Sequence, residues 1–140
     1  MEEAGGTLVD TNILVSRKLR ALLTLEEQLY ATPVVLLEYI NWALESRNRR
    51  LAEGDYERAK GYERLIELLP SLLRELGIKV IEQGLEVEDF KEAVNLILHR
   101  DVDPGDALNA ITAKKKRLKV ATRDRDWQRL KDHAKEVILL

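Results

Sequence analysis

The sequence predicts an α/β fold of three layers, α/β/α, with a central, mostly parallel twisted sheet between helices. Two observations carry that prediction. Short apolar, β-branched runs alternate along the chain with segments whose apolar residues recur every three or four positions, and strands alternating with helices pair in parallel with helices on both faces. The length of 140 residues also matches one domain of common size, long enough to bury its own core. Residues 1–140 therefore read as a single domain.

TLVDTN, from Thr7, opens with a short buried strand, because Leu8 and Val9 lead into a polar turn. Ile13 and Leu14 then begin a helical pattern that runs through Leu19, Leu22 and Leu23. Leu29 to Ala31 is a second short strand. Thr32 is placed as an N-cap with Pro33 at the first helical position, where a missing N–H would have had no partner. That helix ends near Gly54, and its first three turns are nearly all apolar. From Asp55 another helix carries Tyr62, Leu65, Ile66, Leu68 and Leu69, with a break or kink expected at Pro70. The two helices form a hairpin. IKVIE, from Ile78 and closed by Gly84, is a third strand; VEDFKEAVNLILH, from Val87, places Phe90, Val94, Ile97 and Leu98 at helical spacing. Asp103-Pro104 opens a helix through Lys116. LKVAT, from Leu118, is a fourth strand, RDRDWQRLKDH a loop and short helix, and EVILL an edge strand.

Composition narrows the function. Acidic and basic residues number 25 and 23, a net charge of -2, so no global field steers partners. The chain has no cysteine, which excludes disulfides, thiolate zinc sites and a cysteine nucleophile, and leaves oxygen ligands or the two histidines for any metal. MEEAGG lacks the basic and apolar regions of a leader, and no uncharged apolar stretch nears a membrane span. A cytoplasmic chain without membrane contact is expected.

Four carboxylates lie where an open parallel sheet gathers its ligands, beyond the carboxyl ends of the strands. Asp10 ends the first strand, and Asp124 follows the fourth. Asp106 sits in the first turn of the helix feeding that fourth strand, and Glu38 in the second turn of the helix after Pro33. Three of them have ordinary structural readings as well. Asp10 and Asp124 read equally as helix caps, and Asp106 with Asp103 as a cap plus an acid favoured by the helix dipole. Glu38 is harder to explain by structure alone. It is the only formal charge in PVVLLEYINWAL, and a carboxylate in apolar surroundings costs several kcal/mol unless it is compensated. Either its pKa rises, so that the neutral form is the one buried, or something positive sits beside it.

VDTNILV near the start, a glutamate in the helix after the second strand and DALNAITAKKKRLKVATRDRDW near the end together resemble a PIN domain, and within that family the VapC-type toxin ribonucleases. The resemblance covers essentially the whole chain. The family's Asp after the first strand, Glu about 30 residues on, Asp in a D-A-x-x-A helix and Asp in T-x-D fall on Asp10, Glu38, Asp106 and Asp124. Thr11, Asn12, Thr122 and Asp126 stand beside them as supporting residues. Trp127 replaces an aromatic that is usually Phe, and the helical hairpin at about 46–76 reads as a family-variable insertion offering a partner surface.

The resemblance implies a metal-dependent endoribonuclease that hydrolyses RNA phosphodiester bonds. Carboxylates without nearby Cys or His suit Mg2+ or Mn2+ as cofactor. Asp10, Glu38, Asp106 and Asp124 are the expected metal-binding and catalytic set. Between Lys114 and Lys135 ten Lys or Arg face three Asp. Arg123 and Arg125, flanking Asp124, are the better placed phosphate contacts; Lys114 and Lys115, in KKKR, read either as RNA contacts or as a solvated helix end. The aromatics, Trp42 and Trp127 among them, read as core before base-stacking groups, and His99 and His133 as helix-end residues outside the site.

The resemblance points to the toxin of a toxin–antitoxin pair, blocked by an antitoxin protein, with a homodimer expected through the hairpin residues Leu65, Ile66, Leu68 and Leu69. Alternatives are an rRNA-processing nuclease, whose frequent zinc ribbon this cysteine-free chain does not supply, and a catalytically silent PIN scaffold binding RNA or protein. A dehalogenase-like phosphatase needs D-x-D after the first strand, where Asn12 stands in place of the second Asp.

Overall fold

The computed structural model describes residues 5–16 and 18–140. The start of the acidic N-terminal stretch, residues 1–4, lies outside the described residues, as does Arg17 within the first helical pattern. Twelve elements follow in order: β1 (Thr7–Val9), α1 (Thr11–Leu14), α2 (Leu19–Leu22), β2 (Leu29–Ala31), α3 (Pro33–Ala52), α4 (Tyr56–Leu76), β3 (Ile78–Val80), α5 (Val87–Arg100), α6 (Pro104–Lys116), β4 (Lys119–Thr122), a 3-10 helix (Arg125–Leu130) and β5 (Val137–Leu139).

The five strands form one sheet in the order β3-β2-β1-β4-β5, and every pairing is parallel. Leu8 pairs with Tyr30 on one side and Val120 on the other. The chain winds outward from β1 through β2 to β3, then returns to place β4 on the other side of β1. β1 and β4 thus flank the switch point, where parallel α/β sheets open a crevice at their carboxyl ends. Asp10 and Asp124 follow these two strands.

Strand alternation divides the core between the two faces. Leu8 and Val120 face a cluster with Ala107, Ala110 and Ile111 of α6 and Leu96 of α5. Val9 and Ala121 face the opposite cluster, with Ile13, Leu22, Val35, Tyr39 and Leu69 from α1 to α4. Burial on both faces explains why the central strands β1 and β4 read as apolar runs rather than alternating ones, whereas Val80 of β3 and Leu139 of β5, at the sheet's edges, are exposed.

Local chemistry sets the helix starts. Thr32 caps α3, its hydroxyl accepting from the Val35 N–H at 3.1 Å, and Asp103 caps α6 by accepting from Gly105 and Asp106. Two expectations are corrected. The first helical pattern is two short helices, because the Ser16 hydroxyl donates to the Ile13 carbonyl at 2.8 Å and accepts the Lys18 N–H at 3.0 Å, diverting the backbone. Pro70 does not interrupt α4, which runs unbroken from Tyr56 to Leu76. It lies on the exposed side, where water solvates the carbonyl it frees, while its neighbour Leu69 is buried. On α5 the burial is carried by Ala93 and Leu96, whereas Phe90, Val94 and Leu98 are half or more exposed.

Candidate active site

Asp10, Thr11, Asn12, Val15, Glu38, Trp42, Asp106 and Asp124 line one open cavity of about 270 Å3 at the switch point. The four expected carboxylates are thus brought together from β1, α3, α6 and the turn after β4.

Asp10 is the most rigidly held. Its carboxylate accepts from the Thr11 N–H at 2.8 Å, the Asn12 side-chain amide at 3.2 Å and the Thr122 hydroxyl at 2.7 Å. It is both the cap of α1 and a member of the cluster, so the two readings of Asp10 coexist. The Thr122 oxygen also accepts the Asp124 N–H at 3.0 Å, and Asn12 accepts the Arg123 N–H at 3.0 Å. One small network therefore ties the turn after β1 to the turn after β4. Asp124 accepts from the exposed Asp126 N–H at 2.8 Å, which places Asp126 in support of that turn and outside the cavity lining. The buried Trp127 indole N–H faces Asp10 with a geometry short of a formed hydrogen bond and slightly opposes the rise in its pKa.

Glu38 answers to the first of the two alternatives posed by its surroundings. Burial raises its pKa, and among the described residues no Lys or Arg compensates it; the Thr11 hydroxyl donates to it at 2.6 Å. Asp103 and Asp10 raise it further by like-charge repulsion. Asp106 is affected most: burial first, then the charges of Asp10, Asp103, Glu38 and Asp124, push it up to about 8. Burial also raises Asp10, against the hydrogen bonds it accepts.

Sequence reasoning missed three contributors. Asp103, treated as a cap alone, acts electrostatically on Glu38 and Asp106. A Cβ on Gly105 would collide with the Glu38 carboxylate, so this glycine makes room for Glu38 against the start of α6. Asn109 accepts the Thr32 hydroxyl at 2.7 Å, joining the N-terminus of α3 to α6. The short stretch Asp103 to Asp106, with its proline and glycine, is the one local signal that two of these shared.

The basic residues divide. Arg123 and Arg125 are exposed beside Asp124, and among the described residues neither forms an ion pair. Lys114 and Lys115 lie at the C-terminal end of α6, about 12 Å along the helix from Asp106. There Lys114 pairs with Glu92 at 3.5 Å and Lys115 with Asp89 at 2.7 Å. The structure does not bring these two lysines to the cavity. His133 is buried with Nε2 2.6 Å from Glu92, away from the cluster and not at a helix-end carbonyl.

The donor set fits a hard divalent cation. All the cavity's charged groups are carboxylates, the pKa values of Asp10, Glu38 and Asp106 are raised by burial and by neighbouring acidic charge, and among the described residues none of the four is neutralised by a cationic side chain. The acids surround an open space instead of closing into a cage, and no three acidic or imidazole groups among the described residues form a compact ligand cluster. Mg2+ commonly retains several waters and takes only one or two carboxylates, so an open arrangement suits it.

A sequence model described as PIN domain matches residues 7–133. The chain belongs to the PIN domain family. PIN domains are typically nucleases, which gives the acidic cavity of this PIN domain a chemical context. Among solved structures, PAE2754 from Pyrobaculum aerophilum is similar over 99% of this chain and 91% of its own, with 21% identity and a TM-score of 0.63. A toxin–antitoxin complex from Klebsiella pneumoniae contains a chain similar over 86% of this one and 89% of its own, with 19% identity and a TM-score of 0.50. At these identities the likeness concerns the PIN fold. No curated protein matches the sequence. Among the described residues, no helix of this PIN domain is long and apolar enough to cross a membrane.

Proposed function

We propose that this PIN domain is a metal-dependent endoribonuclease hydrolysing RNA phosphodiester bonds, and the toxin of a toxin–antitoxin pair. The observation that carries the reading is the convergence of Asp10, Glu38, Asp106 and Asp124 on one cavity at the sheet's switch point. These four would hold Mg2+ or Mn2+, one or two of them directly and the others through waters the ion retains. When bound, such an ion lowers the pKa of a water, orients it towards the phosphorus and offsets charge developing on the leaving oxygen.

The chain's own groups do the rest. Thr122 and Asn12 fix the Asp10 carboxylate, and Thr11 fixes Glu38, so two of the ligands are oriented before an ion arrives. Asp106 retains a proton near neutral pH and gives it up as a cation enters. Arg123 and Arg125 contact RNA phosphates on the open side of Asp124.

The toxin role is supported by fold likeness to a chain of a toxin–antitoxin complex. An antitoxin acts by covering the cavity, and a homodimer forms through the hairpin of α3 and α4, which we read as an insertion at about 46–76.

The test is incubation of the purified protein and its Asp10→Asn variant with mixed cellular RNA, in Mg2+, in Mn2+ and in chelator, followed by mapping of new RNA ends. New ends that require metal and vanish in the variant are expected. Identical ends from both folded proteins, or none under any condition, would count against the reading and favour a silent scaffold.

A further inference from the structure

The cavity's lining is not all carboxylate: Val15 and Trp42 contribute apolar surface beside the acids. Trp42 follows Glu38 by four residues on α3, so the helix presents both on one face. The indole is locked in place. Its centroid lies 5.7 Å from the ring of buried Tyr39, tilted by 47°, and 5.6 Å from that of Tyr62 on α4, edge to face at 84°. Part of it remains open to solvent. Trp127, by contrast, is 1% exposed and offers no ring face to a ligand.

We propose that Trp42 is the base-stacking residue of this site: it receives the nucleobase of an unpaired RNA nucleotide adjoining the phosphate held at the carboxylates. The proposal rests on the nuclease reading and names its substrate as single-stranded RNA. A base in a duplex has both faces covered by its neighbours, whereas an unpaired base offers a face to the indole. Because Tyr39 and Tyr62 already hold the ring, little side-chain freedom is lost on binding.

The test uses the full chain carrying Asp10→Asn, so that RNA is bound and not cut. The probes are a single-stranded octa-adenylate RNA and a ribose–phosphate strand of equal length without bases. Octa-adenylate should quench Trp42 emission, with the baseless strand silent and the quench lost in Trp42→Phe. Trp42→Leu should weaken octa-adenylate binding by about 5- to 100-fold, the usual worth of one base–aromatic stack. Trp42→Phe, which keeps a ring and its packing, should fall between. Equal affinity of Trp42→Leu and its parent, or equal binding of the two strands, overturns the proposal. So does unchanged Trp42 emission, since a stacking platform tolerates any base.

Failure here is separable from failure of the nuclease reading. Metal-dependent RNA ends made by the wild-type chain, with no Trp42 effect on binding, remove the stacking role and leave the nuclease. Trp42-dependent binding without any such ends does the reverse.

Discussion

Asp106 shows how a single residue couples function to stability. Its carboxyl is pushed up to about 8 in the folded chain, against an ordinary value of 3.8, by burial and by the charges of Asp10, Asp103, Glu38 and Asp124. Below pH 4 both folded and unfolded chains hold the proton, and stability is unaffected. Between about 4 and 8 the unfolded chain has released it while the folded chain retains it, so stability falls as pH rises. The slope from one such group is at most about 1.4 kcal/mol per pH unit. Asp10 and Glu38 are shifted in the same direction and add to the trend. In chelator, thermal unfolding should therefore occur at lower temperature at pH 8 than at pH 5. Asp106→Asn should raise the unfolding temperature at pH 8 and flatten the dependence, while weakening the stabilisation that Mg2+ or Mn2+ gives the wild type. Unfolding temperatures that rise towards pH 8 in chelator would show that these acids are not held under mutual repulsion.

At the scale of elements, the legible parts were those written in neighbouring residues. Thr32-Pro33 and Asp103-Pro104 announce helix starts through their own hydrogen bonds, and the structure begins α3 and α6 at Pro33 and Pro104. The four carboxylates stood out because each lies at a strand end or near a helix start. Pro70 misled because its effect depends on which side of α4 meets water, and the Phe90, Val94 and Leu98 pattern misled because helical spacing does not say which face is covered. Gly105 was invisible for a related reason: its role exists only once α3 lies across the start of α6. That role yields a prediction. Gly105→Ala adds a good helix former, a gain of up to about 1 kcal/mol. Its Cβ would also occupy the place of the Glu38 carboxylate, whose flexible end must swing aside. Stability should hold or increase, while metal affinity or RNA cleavage falls by about 10- to 100-fold, the usual range when a ligand's support is disturbed. Unfolding curves and metal titrations on the same sample separate the two effects; unchanged metal affinity and cleavage would mean that Glu38 finds its place without the glycine.

For the whole molecule, the balance of exposed apolar surface bears on assembly. Leu69 of the hairpin belongs to the core at 6% exposure, but Leu65 and Leu68 are 37% and 45% exposed, so the proposed partner surface narrows to those two and the partly buried Ile66. Leu65 also lines the shallow groove on α4, so the hairpin surface is recessed rather than flat. On the other face of the sheet, Val87, Phe90, Val94 and Leu98 expose a separate apolar row along α5. Both surfaces exceed scattered single residues, and a stable pair buries about 800 Å2 on each partner. The hairpin is the surface proposed for a homodimer. Light scattering should give twice the monomer mass at high concentration, and Leu65→Glu with Leu68→Glu should return the monomer mass with helical content intact, because two like charges would face their symmetry mates across a desolvated contact. Val94→Glu with Leu98→Glu should leave the dimer in place. If the α5 pair dissociates it and the hairpin pair does not, the two copies meet across α5, and the hairpin is left for a different partner. A wild-type chain that stays monomeric at high concentration removes the homodimer altogether.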